Sequence, residues 1–303
     1  MRGPVLTIAR QELRIAGTNR LAMLLSGIFL GMVLISGFIG WASHHTVTSV
    51  YGEALREGAA SGPNPFSTQQ PLDLIRNTVI YTILIGALSA ILVGVQSAMH
   101  DRKAGVVDLL FSRPVTTRQY VAGKFLGMQY LLALILAAAG LLSWGTALFI
   151  RGAMLSPADT GALAAFFLLA WLFLVPFNML GFIFGAGSRR ETSALLAPIL
   201  VWVLLVFVLP QLGTAAHPVS LLNPVPAQPA SQGSFFAFNH RILQPVSPAD
   251  RFKGASAGLL GFSPGGKHFE TFDWTTLAII AAAGFIAALL LIRSGRMRKP
   301  VRE

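Results

Sequence analysis

Six runs of roughly twenty apolar residues dominate this sequence, the length a helix needs to cross the hydrocarbon core of a bilayer, about 30 Å. They fall at 21–41, 79–99, 127–150, 161–185, 192–212 and 274–292. None carries a charged residue well inside it, where Arg, Lys or Asp would cost about 2.5–3.5 kcal/mol on insertion. A backbone that faces lipid must bond to itself, so the spans are expected to be helices. The first run is longer than the core of a signal peptide, about 7–15 residues, and twenty structured-looking residues precede it. It is therefore expected to stay in place as a span.

Composition agrees. Only 12% of the 303 residues are charged and 54% are hydrophobic, against about 25% charged in a typical soluble domain. The net charge of +11 does not point to nucleic acid, because the basic residues flank the apolar runs and form no stripe of their own. There is no cysteine, hence no disulfide, thiolate metal site or cysteine nucleophile.

The placement of Lys and Arg gives an orientation. The N-terminus, the connections between spans two and three and between spans four and five, and the C-terminus together hold 16 of them, against 7 on the other side. The richer side is expected to be cytoplasmic, which puts both termini inside a multi-pass protein of the cell's inner (plasma) membrane.

The organisation that follows is an all-α membrane protein. Residues 1–20 form a cytoplasmic interfacial helix, with Leu6, Ala9 and Leu13 on one face and Arg10 and Arg14 on another. Its arginines would reach phosphate headgroups, or it is a plain basic flank. Residues 21–212 hold spans one to five. Residues 213–273 make a long extracytoplasmic loop, 274–292 the sixth span and 293–303 a basic tail. Within the long loop, 234–243 and 248–260 read as short helices, the second opened by Ser247-Pro248-Ala249-Asp250 with proline in the first turn. The loop is either a cap over a pathway, a docking surface or a connector.

The stretch from Asp101 to Gly127, DRKAGVVDLLFSRPVTTRQYVAGKFLG, carries the most information. A short helix over 103–111 would gather Val106, Leu109 and Leu110 on one face, with Asp108 on another. Pro114 ends it, since Arg113 is driven from the helical region. Thr116 or Thr117 can then cap a helix leading into span three. An amphipathic helix held between two spans can seat in a soluble partner and turn that partner's movement into tilt; it can equally be a solvated hairpin.

This stretch resembles the signature of the ABC type-2 permeases: an acid, a glycine-led run with a second acid, paired leucines, Ser-x-Pro-Val and Gly-Lys before the third span. Here these are Asp101, Gly105, Asp108, Leu109 and Leu110, Ser112, Pro114 and Val115, then Gly123 and Lys124. Val106 and Val107 replace a usual Thr-Leu, and Lys103 stands where an acid is common. The six-span layout, basic N-terminus and long loop before the last span are also similar. In size and layout the chain is similar to the permeases of nitrous oxide reductase maturation systems. The resemblance implies a permease subunit in a homo- or heterodimer, driven by a separate ABC ATPase and more often exporting than importing. It further implies an ATPase-coupling element built from Asp101, Arg102, Gly105, Asp108, Leu109, Leu110, Phe111 and Pro114, with Arg102, Asp108 and Phe111 touching the ATPase.

The residues point independently to an outside energy source. No G-x-x-x-x-G-K-[ST] occurs, and Gly265-Gly266-Lys267 lacks both the first glycine spacing and the Ser or Thr, so ATP hydrolysis is expected elsewhere. No acid lies inside a span, as an ion-coupled carrier would need. No cofactor is expected. His44-His45 could ligate a metal, but no acid or cysteine stands at ligand spacing. Gly27-x-x-x-Gly31 and Gly181-x-x-x-Gly185 permit close helix approach, within the subunit or at a dimer seam. Asn178 either faces a pathway or bonds a carbonyl freed by Pro176. The rival readings are a membrane-embedded hydrolase or transferase, for which Asp250, Arg251 and His240 are the candidates, and a non-transporting scaffold.

Overall fold

The computed structural model describes residues 3–62, 71–103, 115–151, 155–188, 190–214, 222–224, 233–243, 247–262 and 271–293, and among them the secondary structure is helical throughout, without a strand. Helix α1 covers Pro4–Thr18 and α2 Arg20–Arg56. A 3-10 turn at Pro71–Ile75 leads into α3, which spans 77–103 and contains a π-turn at Thr82–Gly86. Then come α4 (Thr117–Arg151), α5 (Pro157–Gly187) and α6, spanning 191–214 with a π-turn at Leu204–Val208. Two short helices, α7 (Ser234–Leu243) and α8 (Pro248–Leu260), precede α9 (Thr271–Arg293).

Helices α2 to α6 are each long and apolar enough to cross a membrane, and α9 adds an apolar stretch at Trp274–Leu290. The protein is a multi-pass membrane protein. Helix α2 runs past Trp41 through His44 and His45 to Arg56, because no proline interrupts it; the chain turns at Gly58, whose φ of 72° suits glycine.

Helices α3 and α5 form the centre, while α2 and α6 show most of their apolar surface to the outside. Glycine decides the central pairing. A Cβ on Gly94 would lie 2.1 Å from the Asn178 carbonyl oxygen, and one on Gly181 2.0 Å from that of Ile91. Only bare backbones fit so closely, the device that membrane helices use when lipid removes the hydrophobic drive to associate. Gly181 and Gly185 thus serve packing inside the chain, whereas nothing lies within 4 Å of a Cβ built on Gly27 or Gly31.

The long loop before α9 contributes to the core. Ser247 opens α8 by accepting the Asp250 amide at 3.2 Å, with Pro248 in the first turn. Phe252 is fully buried and stacks on Phe173 of α5, with ring centroids 4.5 Å apart. The π-turn of α3 presents the Ile83 carbonyl to α6. The Trp202 indole of α6 donates to that carbonyl, Ile83 O, at 3.3 Å.

Candidate functional site

The segment that resembles a coupling element lies between the end of α3 and the start of α4. Gly105, Asp108, Leu109, Leu110, Phe111 and Pro114 are outside the described residues. Asp101, Arg102 and residues 115–151 are described, and they show how both ends of the segment are held.

Asp101 is buried at the last turn of α3. Its Oδ2 receives two donors from one face of α4: the Tyr120 hydroxyl at 2.8 Å and the Lys124 ammonium at 2.9 Å. Residues four apart share a helix face, so α4 brings both groups to the same carboxylate. Lys124 also donates to Glu12 of α1, at 2.5 Å, and to the Ser97 carbonyl, at 3.1 Å. Lys124 and Asp101 are 2% and 4% exposed, Glu12 4% and Tyr120 1%. Buried charges must be paired and hydrogen-bonded to persist, and here two carboxylates share one ammonium, with the phenol supplying a further donor.

Glycine again sets the geometry. A Cβ on Gly123 would come within 2.7 Å of Ile8 Cβ, and one on Gly127 within 2.6 Å of Glu12 Cβ. The notch made by these glycines seats α1 against α4 and delivers Glu12 to Lys124. The Gly123-Lys124 pair of the family-like signature is therefore the dock for α1, with glycine admitting the backbone and lysine binding the acid. The face of α1 packed on α4 carries Ile8 and Glu12, while Leu6 of the apolar face read from the sequence is exposed. Arg10 and Arg14 point outward.

Arg102 engages the next helix. Its guanidinium donates to the carbonyls of Gly185 at 2.8 Å and Ser188 at 2.5 Å, where the C-terminal end of α5 presents carbonyls that favour a cation. On the far side of the segment, Thr116 and Gln119 bond reciprocally: Thr116 N–H to Gln119 Oε1 at 3.0 Å, and Gln119 N–H to Thr116 Oγ1 at 3.3 Å. This capping box fixes the start of α4. The segment thus leaves from one rigid post and returns to another.

A second polar node lies in the bundle interior. Fully buried Asn178 donates to the Ala90 carbonyl of α3 at 3.0 Å and accepts from Gln129 of α4 at 3.0 Å. It ties three helices together, and its partner carbonyl belongs to α3 rather than to the turn before Pro176. Elsewhere, His45 stacks on Trp41, and among the described residues no three His, Asp or Glu side chains gather as a metal site would require. Of the rival catalytic candidates, Asp250 has its amide committed to the α8 cap. Burial pushes its carboxyl above the ordinary value of 3.8 and pushes neighbouring Lys253 below 10.5.

A family model for the ABC-2 family transporter protein matches residues 6–293. The chain belongs to the ABC-2 transporter family. The match covers α1 through α9 and assigns the protein to a permease family, a membrane component of ABC transporters, without singling out the nitrous oxide reductase maturation group. Comparison with curated proteins gives no match.

Of the residues in the clamp, sequence reasoning had named Asp101 and Arg102 for coupling and had noted Lys124 only as part of a signature. Glu12 and Tyr120 were missed. The available signals were that Glu12 is the sole acid among the first twenty residues and that Tyr120 precedes Lys124 by one turn.

Proposed function

We propose that this ABC-2 family permease is the membrane-spanning subunit of an ATP-driven exporter. It would work with a separate ABC ATPase and a second permease subunit in the plasma membrane. With α9 as the last of six spans, both termini would lie in the cytoplasm. The segment over 104–114 is the contact with the ATPase, made by Gly105, Asp108, Leu109, Leu110 and Phe111 and closed by Pro114. Asp101 and Arg102 transmit its motion by holding α3 to its neighbours.

One observation carries this reading: both flanks of the segment end in the buried clamp of Asp101, Tyr120, Lys124 and Glu12. A push on a segment mounted on a loose tether is absorbed by the tether. A push on a segment fixed at both ends must move α3, α4 and α1 together, and Arg102 extends that movement to α5. Coupling by a packed two-ended element is a physical link of the kind long-range coupling demands. Glu12 gives α1 a role beyond membrane attachment, as the brace of this lever.

The test is Asp108→Lys, with permease and companion ATPase reconstituted together. Charge reversal on the contact face is expected to abolish the dependence of ATP turnover on the permease while leaving insertion intact. Unchanged dependence, with normal binding of the ATPase, would count against the assignment.

A further inference from the structure

A groove of about 660 Å³ opens between the start of α4 and the end of α9, lined by Thr116, Thr117, Arg118, Ile286, Leu289 and Leu290. Its two halves differ in chemistry. The α4 half offers an exposed guanidinium and two hydroxyls, and among the described residues no carboxylate lines the groove. The α9 half is aliphatic and uncovered, with Ile286 55% and Leu290 62% exposed. Deeper in the bundle the two helices meet through Phe125 and Phe285, whose ring centroids are 4.9 Å apart. The groove is thus a cleft between the two helices, bounded on one side by the Phe125–Phe285 contact.

We propose that this cleft holds one anionic phospholipid, with its phosphate at Arg118 and an acyl chain along Ile286, Leu289 and Leu290. Charge complementarity selects the occupant. Arg118 favours a negative neighbour and the α9 side chains an apolar one; an anionic lipid is both in one molecule. The chain's own tail does not fit, since the sequence following α9 carries Arg296, Arg298, Lys299 and Arg302. Those residues have the sign of Arg118 and strengthen the local attraction for an anionic leaflet. A soluble ATPase would meet Arg118 but has no reason to cover three aliphatic side chains in the span. The lipid sits next to the capping box that fixes α4, which makes it a wedge between the last span and the coupling end of the third.

The inference rests on the proposed orientation, in which this end of the bundle meets the cytoplasmic leaflet. Its test does not, because vesicles present the same lipid in both leaflets and no ATPase is required. The full-length permease is reconstituted in vesicles of phosphatidylcholine and phosphatidylglycerol at four to one, extracted in mild detergent, and weighed by native mass spectrometry. The expected result is one phosphatidylglycerol retained per chain in preference to phosphatidylcholine. Retention should fall about five-fold in Arg118→Gln, with the decrease specific to the anionic lipid, and should fall for both lipids in Leu290→Trp, which fills the aliphatic half. Arg14→Gln, an exposed arginine on α1, should retain the lipid as the wild type does. Equal retention of both lipids by the wild type would overturn the proposal. So would unchanged retention in Arg118→Gln, or an equal loss in Arg14→Gln.

Discussion

Replacing Lys124 by methionine removes the ammonium that bridges Glu12 and Asp101 while keeping the length of the side chain. Two buried carboxylates would then face each other with Tyr120 as the remaining donor. Breaking a buried ion pair by deleting one partner typically costs about 3–5 kcal/mol. The cheapest escape is release of α1, since Glu12 can reach water only by leaving the Gly123–Gly127 notch. If about 3 kcal/mol falls on docking, the undocked fraction rises about a hundred-fold, at about 1.4 kcal/mol per factor of ten. The absence of native cysteine makes this measurable. A cysteine placed at Ile8, 8% exposed in the docked helix, is predicted to react with a maleimide up to about a hundred-fold faster in the Lys124→Met background. Asp101→Asn leaves Glu12 and Lys124 as a balanced pair and is predicted to raise the rate less than ten-fold, since about 1 kcal/mol is at stake in one neutralised hydrogen-bond acceptor. Glu12→Gln combined with Lys124→Met is predicted to restore much of the protection. Equal rates in wild type and Lys124→Met, or a larger effect of Asp101→Asn than of Lys124→Met, would refute the reasoning.

Gly94→Val is predicted to prevent assembly of the core, because its Cβ would sit 2.1 Å from the Asn178 carbonyl with no flexible side chain to yield; loss of the monodisperse protein on size exclusion checks it, and a normal elution profile would contradict it. Asn178→Leu leaves Ala90 O and the Gln129 amide without their partner and is predicted to cost about 1–2 kcal/mol, read as a lower melting temperature. Lys253 is buried with its pKa pushed down from 10.5 by desolvation. The folded state therefore releases this proton before the unfolded state does, so the lysine's contribution becomes more favourable as pH rises from the folded pKa toward 10.5. Melts of wild type and Lys253→Met between pH 7 and 10 are predicted to show a difference that moves in favour of the wild type with rising pH; a difference independent of pH would contradict this.

Much of the architecture was legible because lipid imposes it. A run of twenty apolar residues has few fates, and α2 to α6 follow the sequence pattern. The start of α8 was legible as well, since Ser247 and Pro248 act locally. What was not legible depends on partners distant in sequence. Periodicity shows the apolar face of α1 that carries Leu6, but not the face that packs on α4, which is set by Gly123, Gly127 and Lys124, more than a hundred residues away. The bonds of Arg102 to the carbonyls of Gly185 and Ser188 could not be foreseen, because backbone acceptors leave no mark in the sequence. Asn178 was recognisable as a buried polar group, yet its bonds to Ala90 and Gln129 follow from the α3–α5 approach at Gly94 and Gly181.

The account stands on the contact between the 104–114 segment and an ATPase. The direct measurement places a photo-crosslinking amino acid at Phe111, and in a separate sample at Phe235 on α7, in cells that express the permease with its companion ATPase. The account predicts a covalent adduct with the ATPase from position 111 and none from position 235. An adduct from 235 alone, or no ATPase captured at 111 while the intact complex is recovered, would contradict it.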